Sequence, residues 1–378
     1  QEAGRELMAR CTLVGDPARD AEDVQAAMEQ VAPVLNLDMD AQCPECGQTQ
    51  SVHFDVQSYL LAALASDQVR AGEMEAAEKA LTAVTTKRPD AEQALYLLGT
   101  VKRALGKLKE AEAIAKRLLE LDPESAEGNE LLGFVFEKQR LWEDALTHYL
   151  SAARSRPEWI EPLAGAAFVQ LQLGELEYAE VMLESAFELD EDHLGATLSM
   201  GILQFLRKKN RDAKKLFEKV LKAHPDDLRA NRYLGFVLID ETKHKEAIAC
   251  FEKVIEQDPS DAAATRMLGR AKVELGSKIE EAVELLERAV ELDAEDPWNH
   301  FELGKAYEEQ EEFEKAQEAY RKSITLDAAF AWPHLYLAEL LDEVERKLRD
   351  ALEHYQQFLE LGGPDPDGEV EGRVKQLT

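Results

Sequence analysis

The chain has 378 residues, and its 76 acidic residues outnumber its 44 basic ones, which gives a formal net charge of −32. Hydrophobic residues make up 45% of the sequence, enough to bury a core, so a wholly disordered chain is excluded. A strongly acidic surface repels phosphate backbones and anionic lipids. We therefore expect no binding to nucleic acid, and the charge by itself favours basic partners.

The N-terminal segment, residues 1–57, precedes any regular pattern and is predicted to be a small helical module, with helices over 1–11 and 21–35. It contains Cys43-Pro44-Glu45-Cys46-Gly47, which resembles a zinc knuckle. Cys11 and His53 would complete a site with three cysteines and one histidine, or two chains would each contribute a pair. A remnant knuckle without metal and a redox dithiol stay open as alternatives.

Four cysteines in a chain of this length do not make a disulfide scaffold, so we expect a reducing, cytoplasmic location. The sequence does not begin with Met, and an envelope location after removal of an export signal is the alternative. No uncharged apolar run approaches the ~18–20 residues of a membrane span, so none is expected. The oligomeric state is not indicated.

A 34-residue spacing recurs along most of the chain. Small residues, mostly after a leucine, stand at positions 65, 99, 133, 167, 201, 235, 269, 304 and 338. An alanine follows each of them after twelve residues, except that Ala282 and Ala351 come one residue late. We therefore predict that these two repeats carry a one-residue insertion between their helices.

Each repeat reads as two amphipathic helices, because its apolar residues recur at three- and four-residue intervals. Short turns such as those at Gly106 and Gly174 separate the two helices. The small residue lets the second helix approach the first closely. Proline, which cannot continue a helix, closes five repeats, at Pro89, Pro123, Pro157, Pro225 and Pro259. One such hairpin cannot bury its apolar face alone, but a stack of them can.

This pattern of Leu-Gly, alanine, a large side chain four residues later, and proline resembles the tetratricopeptide repeat (TPR) family. The resemblance covers residues 58–365 as about nine repeats and leaves 366–378 as a C-terminal capping tail. It implies an all-α, right-handed superhelical solenoid whose first helices line a concave groove. The function that it implies is protein binding.

The resemblance also implies which residues face the groove. It predicts an apolar strip made of Phe134, Phe168, Leu198, Ile202, Phe205 and Phe236. Beside the strip, it predicts an arginine cluster made of Arg229, Arg232, Arg266 and Arg270. The strip would anchor an apolar segment, and the arginines would hold carboxylates of the same partner. The competing interpretations are that the strip belongs to the core and that the arginines pair with neighbouring acids.

The last two repeats carry aromatic and acidic residues together: Trp298, Phe301, Trp332 and Tyr336 with Glu308, Glu309, Asp342 and Glu343. This composition suits a basic or amphipathic partner segment, although the aromatics would equally serve to close the end of the stack. A short capping helix is predicted over Glu369–Leu377.

No nucleotide-binding, metalloprotease or nucleophile-elbow motif occurs, so we predict no enzyme and no catalytic residue. The first hypothesis is a non-enzymatic scaffold or adaptor that binds a partner segment in its groove. A second is a metal- or redox-regulated switch in which Cys43 and Cys46 control the repeats. A third is an envelope assembly factor.

Overall fold

The computed structural model describes residues 36–42, 49–55, 68, 72–276, 278–344 and 346–378. The chain divides into two compact units, Gln1–Ala196 and Thr197–Thr378. Within the described residues there are eight complete helical hairpins and the second helix of a ninth.

Among its described residues, the first unit contains an antiparallel strand pair and seven complete helices, and an eighth helix begins there. The strands are β1 (Asn36–Gln42) and β2 (Thr49–Asp55). The helices are α1 (Met74–Lys87), α2 (Glu92–Ala104), α3 (Leu108–Leu121), α4 (Ala126–Lys138), α5 (Trp142–Ser155), α6 (Ile160–Gln172), α7 (Leu176–Leu189) and α8 (Leu194–Leu206). We call the even-numbered helices up to α16, the first of each hairpin, inner helices, and their odd-numbered partners outer helices.

The second unit contains four complete hairpins beyond the one that α8 begins, and a final short helix. Its helices after α8 are α9 (Asn210–Ala223), α10 (Leu228–Asp240), α11 (His244–Gln257), α12 (Ala262–Glu274), α13 (Ile279–Leu292), α14 (Pro297–Glu309), α15 (Phe313–Leu326), α16 (Ala331–Glu343), α17 (Leu348–Glu360) and α18 (Glu369–Leu377). The all-helical repeat architecture predicted for residues 58–365 is confirmed by the helices described there.

The turn within each hairpin contains a residue in the left-handed backbone conformation. Glycine fills this position in three of the hairpins, but Thr242 (φ 56°) and Glu311 (φ 61°) occupy it elsewhere. Most of these connections have three residues, whereas α12–α13 and α16–α17 are joined by four. The predicted one-residue insertions before Ala282 and Ala351 are therefore confirmed.

The glycine of the Leu-Gly site allows the two helices of a hairpin to pack closely, as predicted. A Cβ added at Gly235 would lie 2.6 Å from Cζ of Phe251, and one at Gly304 would lie 2.5 Å from Cε1 of Tyr320. Phe251 and Tyr320 are both fully buried. The side chain over each of these glycines is thus the large one four residues after the alanine, because the ring needs the volume that a Cβ would take.

Helix ends follow local sequence signals. Each of the five predicted prolines lies two residues beyond the end of an outer helix. Aspartates cap several inner helices, since the backbone N–H of Ala230 donates to Asp227 (2.8 Å) and that of Ala264 donates to Asp261 (3.0 Å). Asp296 caps α14 in the same way, accepting from the N–H of Trp298 at 2.9 Å.

The strand pair corrects the prediction of a purely helical N-terminal module. Its antiparallel register places Leu37 opposite Phe54 and Met39 opposite Val52. Apolar and polar residues alternate over Asn36–Gln42 and over 51–55, which is the two-residue period of a strand and not the period of a helix. The predicted helices over 1–11 and 21–35 lie outside the described residues.

The C-terminal helix α18 is present over the predicted residues and packs on the last hairpins. Val370, Val374 and Leu377 contact the apolar core of that region. Arg373 forms a bidentate ion pair with Asp342 of α16, Nε to Oδ2 at 2.5 Å and Nη2 to Oδ1 at 2.6 Å. Because this guanidinium donates to Asp342, the pKa of that carboxyl is lowered.

Candidate partner-binding surface

Three aromatic side chains of the inner helices α8 and α10 form a half-exposed cluster in the second unit. The Phe205 and Phe236 rings stack with centroids 6.2 Å apart, and Tyr233 lies edge-on to both, at 6.0 and 5.7 Å. None of the three is fully covered, although each is held from at least one side by another ring. We call these residues the aromatic triad.

Two fully buried rings of the outer helices α9 and α11 pack against the triad on its core side. Phe217 of α9 stacks on Tyr233 at 6.0 Å, and Phe251 of α11 lies 5.6 Å from Phe236. Since Phe217 and Phe251 are 0% exposed, the orientation of the triad is fixed by the core itself. A rigid, half-exposed aromatic surface loses little conformational entropy when it binds a partner.

The predicted apolar strip is exposed only in part. Ile202 is 0% exposed, Leu198 is 2% exposed and Phe168 is 8% exposed, so the prediction that they face an open groove is wrong for these three. Their side chains fill space between helices, as the core interpretation has it. Phe205 and Phe236 remain as strip residues that a partner can reach, and Tyr233 joins them.

Phe134 is the strip residue of the first unit that stays half-exposed. Its ring lies beneath the guanidinium of Arg103 (4.7 Å) and near the ammonium of Lys138 (5.2 Å). Arg103 also donates to the buried carboxylate of Glu130 at 2.6 Å. Burial raises the pKa of Glu130, and the arginine opposes this rise. The ring thus has cations on it that belong to the chain itself.

Two of the predicted arginines pair with the capping aspartates of the following inner helix. Arg232 on α10 forms an ion pair with Asp261, and Arg266 on α12 forms one with Asp296. Arg266 also donates to Oδ1 of Asn299 at 3.2 Å. Each aspartate therefore caps its own helix and binds the preceding repeat, so these arginines hold neighbouring hairpins together.

Arg270 is less tightly paired. Its Nη1 lies 3.7 Å from Oε1 of Glu302, whose other oxygen accepts from Lys305 at 3.3 Å. The Glu302 side chain is only 4% exposed, whereas that of Arg270 is 32% exposed. Arg229, the fourth member of the predicted cluster, is half-buried on the first turn of α10. Among Arg232, Arg266 and Arg270, Arg270 has the longest ion pair, and its side chain is accessible.

The predicted metal site cannot be assembled from the described residues. Cys11, Cys43 and Cys46 lie outside them, and His53 is described only as a backbone position of β2, opposite Asp38. The two strands flank the segment that carries the Cys43–Cys46 pair. Within the described part of the chain, no group of three or more histidine, cysteine, aspartate and glutamate side chains is arranged to hold a metal ion.

Family models identify the repeats. Models described as tetratricopeptide repeat match residues 62–126, 96–158 and 198–262, and a further one matches 297–329. A model described as TPR repeat matches residues 269–311. The chain is therefore a repeat protein built from tetratricopeptide repeats, as its 34-residue period indicated.

Several solved structures are similar to this chain. Human IFIT1, a dimer with m7Gppp-AAAA, is 16% identical with a TM-score of 0.54, covering 85% of this chain and 81% of its own. A tetratricopeptide repeat protein from Parabacteroides merdae is 22% identical (TM-score 0.46; 66% and 99% covered), and MamA is 26% identical (0.38; 43% and 94%). No curated protein matches the chain.

None of the described helices of the chain has the length and apolar character needed to cross a bilayer.

Proposed function

We propose that this protein is a non-enzymatic scaffold that binds a partner segment on the inner helices of its second unit. The partner segment has apolar residues and an acidic stretch. The observation that carries this proposal is the aromatic triad, Phe205, Tyr233 and Phe236. An apolar surface that is fixed in place yet left accessible is typical of a recognition site.

The charge next to the triad sets the orientation of the partner. Lys208 lies 5.8 Å above the Phe205 ring, and Arg270 follows Phe236 at the equivalent position of the next inner helix. The ion pair of Arg270 is long enough for a carboxylate of the partner to share the guanidinium. An apolar side chain would therefore rest on the triad, with an acidic residue toward α12.

The arginines paired with capping aspartates take a different role in this proposal. Arg232 and Arg266 fix the spacing of neighbouring hairpins, and thereby the distance between the triad and Arg270. Reversing their charge would place a glutamate beside Asp261 or Asp296 and damage the stack itself. Partner binding is consequently better tested at Phe205 and Arg270, whose side chains are less completely committed to other contacts.

The experiment is a fluorescence anisotropy titration with a synthetic peptide that has leucines in one half and glutamates in the other, the leucine–glutamate probe. We expect wild-type protein to bind it, and Phe205→Ala and Arg270→Gln each to weaken binding by about tenfold. Tyr178→Ala, which removes an aromatic ring 65% exposed on outer helix α7, is the matched control and leaves affinity unchanged. Absence of binding by wild-type protein, or equal binding by all variants, contradicts the proposal.

Similarity to IFIT1 supports the fold, but it gives no information about a ligand of this chain, because the sequence identity is only 16%. The net charge of −32 disfavours an RNA ligand for this chain.

A metal- or redox-regulated switch through Cys43 and Cys46 is a separate proposal, for which zinc analysis of the purified protein is the test. One zinc ion per chain or per dimer supports the proposal. If the purified protein contains no zinc and Cys43→Ser does not change binding of the leucine–glutamate probe, the proposal is contradicted.

A further inference from the structure

Two tryptophans of the last inner helices are exposed at equivalent positions. Trp298 on α14 is 42% exposed and Trp332 on α16 is 38% exposed, and both lie on the first turn of their helix. They are not loose side chains, because Trp298 packs 4.4 Å from the Phe330 ring and Trp332 lies 5.9 Å from Phe358. Two anchored, accessible indoles on neighbouring inner helices make an apolar surface that the fold leaves uncovered.

The same two helices are adjacent along the stack, so their faces form one surface. Phe301 of α14 and Tyr336 of α16 are in edge-to-face contact with centroids 5.2 Å apart. Lys305 lies 5.8 Å from both ring centroids and pairs with Glu302 and Glu274, each at 3.3 Å. The central cation of this surface is therefore already neutralised by the chain.

Carboxylates collect at the other end of this surface, toward the C-terminal ends of the helices. Glu308 and Glu309 end α14, Glu343 ends α16, and Glu339 lies one turn before it. Neither helix has a basic residue in its last turn, although a helix C-terminus favours cations. The fold thus places negative charge where the helix dipole disfavours it. Within the described residues neither Glu339 nor Glu343 forms an ion pair, although Arg373, the partner of Asp342, also interacts with the charge of Glu343.

The electrostatics of these carboxylates show the same lack of compensation. Burial, followed by the charges of Glu308 and Glu343, raises the pKa of Glu339 to about 7. Burial also raises the pKa of Glu308, although the Tyr320 hydroxyl donates to its Oε2 at 2.7 Å. Asp342 differs, because Arg373 pairs with it and its pKa is lowered. A cation from outside the chain would relieve the repulsion among Glu308, Glu339 and Glu343, none of which forms an ion pair within the described residues.

We propose that the faces of α14 and α16 form a second docking surface, which binds a protein segment with apolar residues at one end and lysine or arginine at the other. The tryptophans take the apolar end, and Glu308, Glu339 and Glu343 take the cationic end. Charge complementarity selects this occupant, because the exposed indoles adjoin uncompensated negative charge. Trp298 and Glu308 are ten positions apart, which corresponds to about 15 Å along the helix and sets the separation of the two ends.

This surface does not depend on the aromatic triad, and its test uses different residues. The probe is a fluorescein-labelled peptide with leucines in one half and lysines in the other, the leucine–lysine probe. We expect wild-type protein to bind it, and Glu308→Gln, Glu339→Gln and Glu343→Gln together to weaken binding by at least tenfold. The matched control carries Glu314→Gln, Glu318→Gln and Glu353→Gln, three exposed outer-helix changes that alter the net charge equally. We expect this control to stay within about twofold of wild type.

Intrinsic fluorescence gives an independent readout of the apolar end. The chain has four tryptophans, so the Trp298→Phe and Trp332→Phe double variant should lose the spectral shift that the probe causes in wild-type protein. Circular dichroism verifies that each variant is folded, and removing repelling carboxylates is not expected to unfold the chain. The proposal is overturned if wild-type protein does not bind, or if the inner and outer triple variants bind alike. An unchanged spectral shift in the double tryptophan variant also overturns it.

Discussion

The arginine-bearing inner helices α10 and α12 and the acidic inner helices α14 and α16 use equivalent repeat positions in opposite ways. Arg232 and Arg266 are each neutralised by the capping aspartate of the next inner helix, and Arg270 forms a longer ion pair with Glu302. Glu339, at the position equivalent to Arg270, forms no ion pair within the described residues, and burial followed by the charges of Glu308 and Glu343 raises its pKa. Compensated charge joins one repeat to the next, whereas uncompensated charge is available to a partner.

The largest expected effect comes from removing a compensating group. Glu302→Gln takes the negative charge from between Arg270 and Lys305, leaving two cations near a carboxamide that is almost fully buried. We expect the free energy of unfolding to fall by about 2 kcal/mol. Thermal unfolding followed by circular dichroism measures it. An unchanged midpoint would mean that these ion pairs do not hold the repeats together.

The opposite sign is expected where charge is uncompensated. Glu339→Gln should raise the free energy of unfolding by about 1 kcal/mol at pH 8 and leave it nearly unchanged at pH 5. The folded-state pKa of about 7 lies above the usual value of 4.5, so ionised Glu339 destabilises the fold above pH 7 and the penalty vanishes as pH falls to 4.5. Urea unfolding at the two pH values checks this. Equal effects at both would contradict the assigned cause.

Binding of the leucine–lysine probe should follow the same titration. The groups that face Glu339 include Glu308 of α14, Glu343 of its own helix and Tyr355 of α17. As pH rises from 6 to 8, Glu339 loses its proton and wild-type affinity for the probe should increase about threefold. In Glu339→Gln most of this increase should disappear. A pH profile shared by both proteins would place the titrating group elsewhere.

The smallest expected effect, that of glycine substitutions in the hairpin turns, should be the same in the arginine-bearing and the acidic repeats. Thr242 in the α10–α11 turn and Glu311 in the α14–α15 turn are both non-glycine residues with left-handed backbone. Thr242→Gly and Glu311→Gly should each stabilise by about 0.5 kcal/mol, because relief of strain slightly exceeds the entropic cost of glycine. The midpoints of thermal unfolding of the two variants, compared with wild type, measure these changes. A marked difference would show that the turns respond to the charge around them.

The sequence predicted helix order, turns and insertions because these depend on residues close together in the chain. Glycine and proline spacing located the ends of hairpins, and the late positions of Ala282 and Ala351 located the insertions. The strands were not predicted, although the residues of β1 alternate between polar and apolar with the period of a strand. Tyr233 was missed as a member of the triad, although its place one helical turn from Phe236 was a usable signal.

Exposure and pairing could not be predicted in the same way, because they depend on neighbouring repeats. Ile202 has the same repeat position as Phe236 yet is fully buried. Arg232 reaches Asp261 and Arg266 reaches Asp296, separations of 29 and 30 residues that link consecutive repeats. A search for arginine and a capping aspartate at that separation would have identified both pairs from the sequence.

Photo-crosslinking tests most directly the central claim, that two chemically different docking surfaces lie on the inner helices of the second unit. Each probe carries a benzophenone at its charged end, and crosslinked peptides are identified by mass spectrometry. The leucine–glutamate probe should attach to α10 or α12, and the leucine–lysine probe to α14 or α16. Attachment of both probes to the same helices, or to the outer helices α11, α13, α15 and α17, would contradict the account.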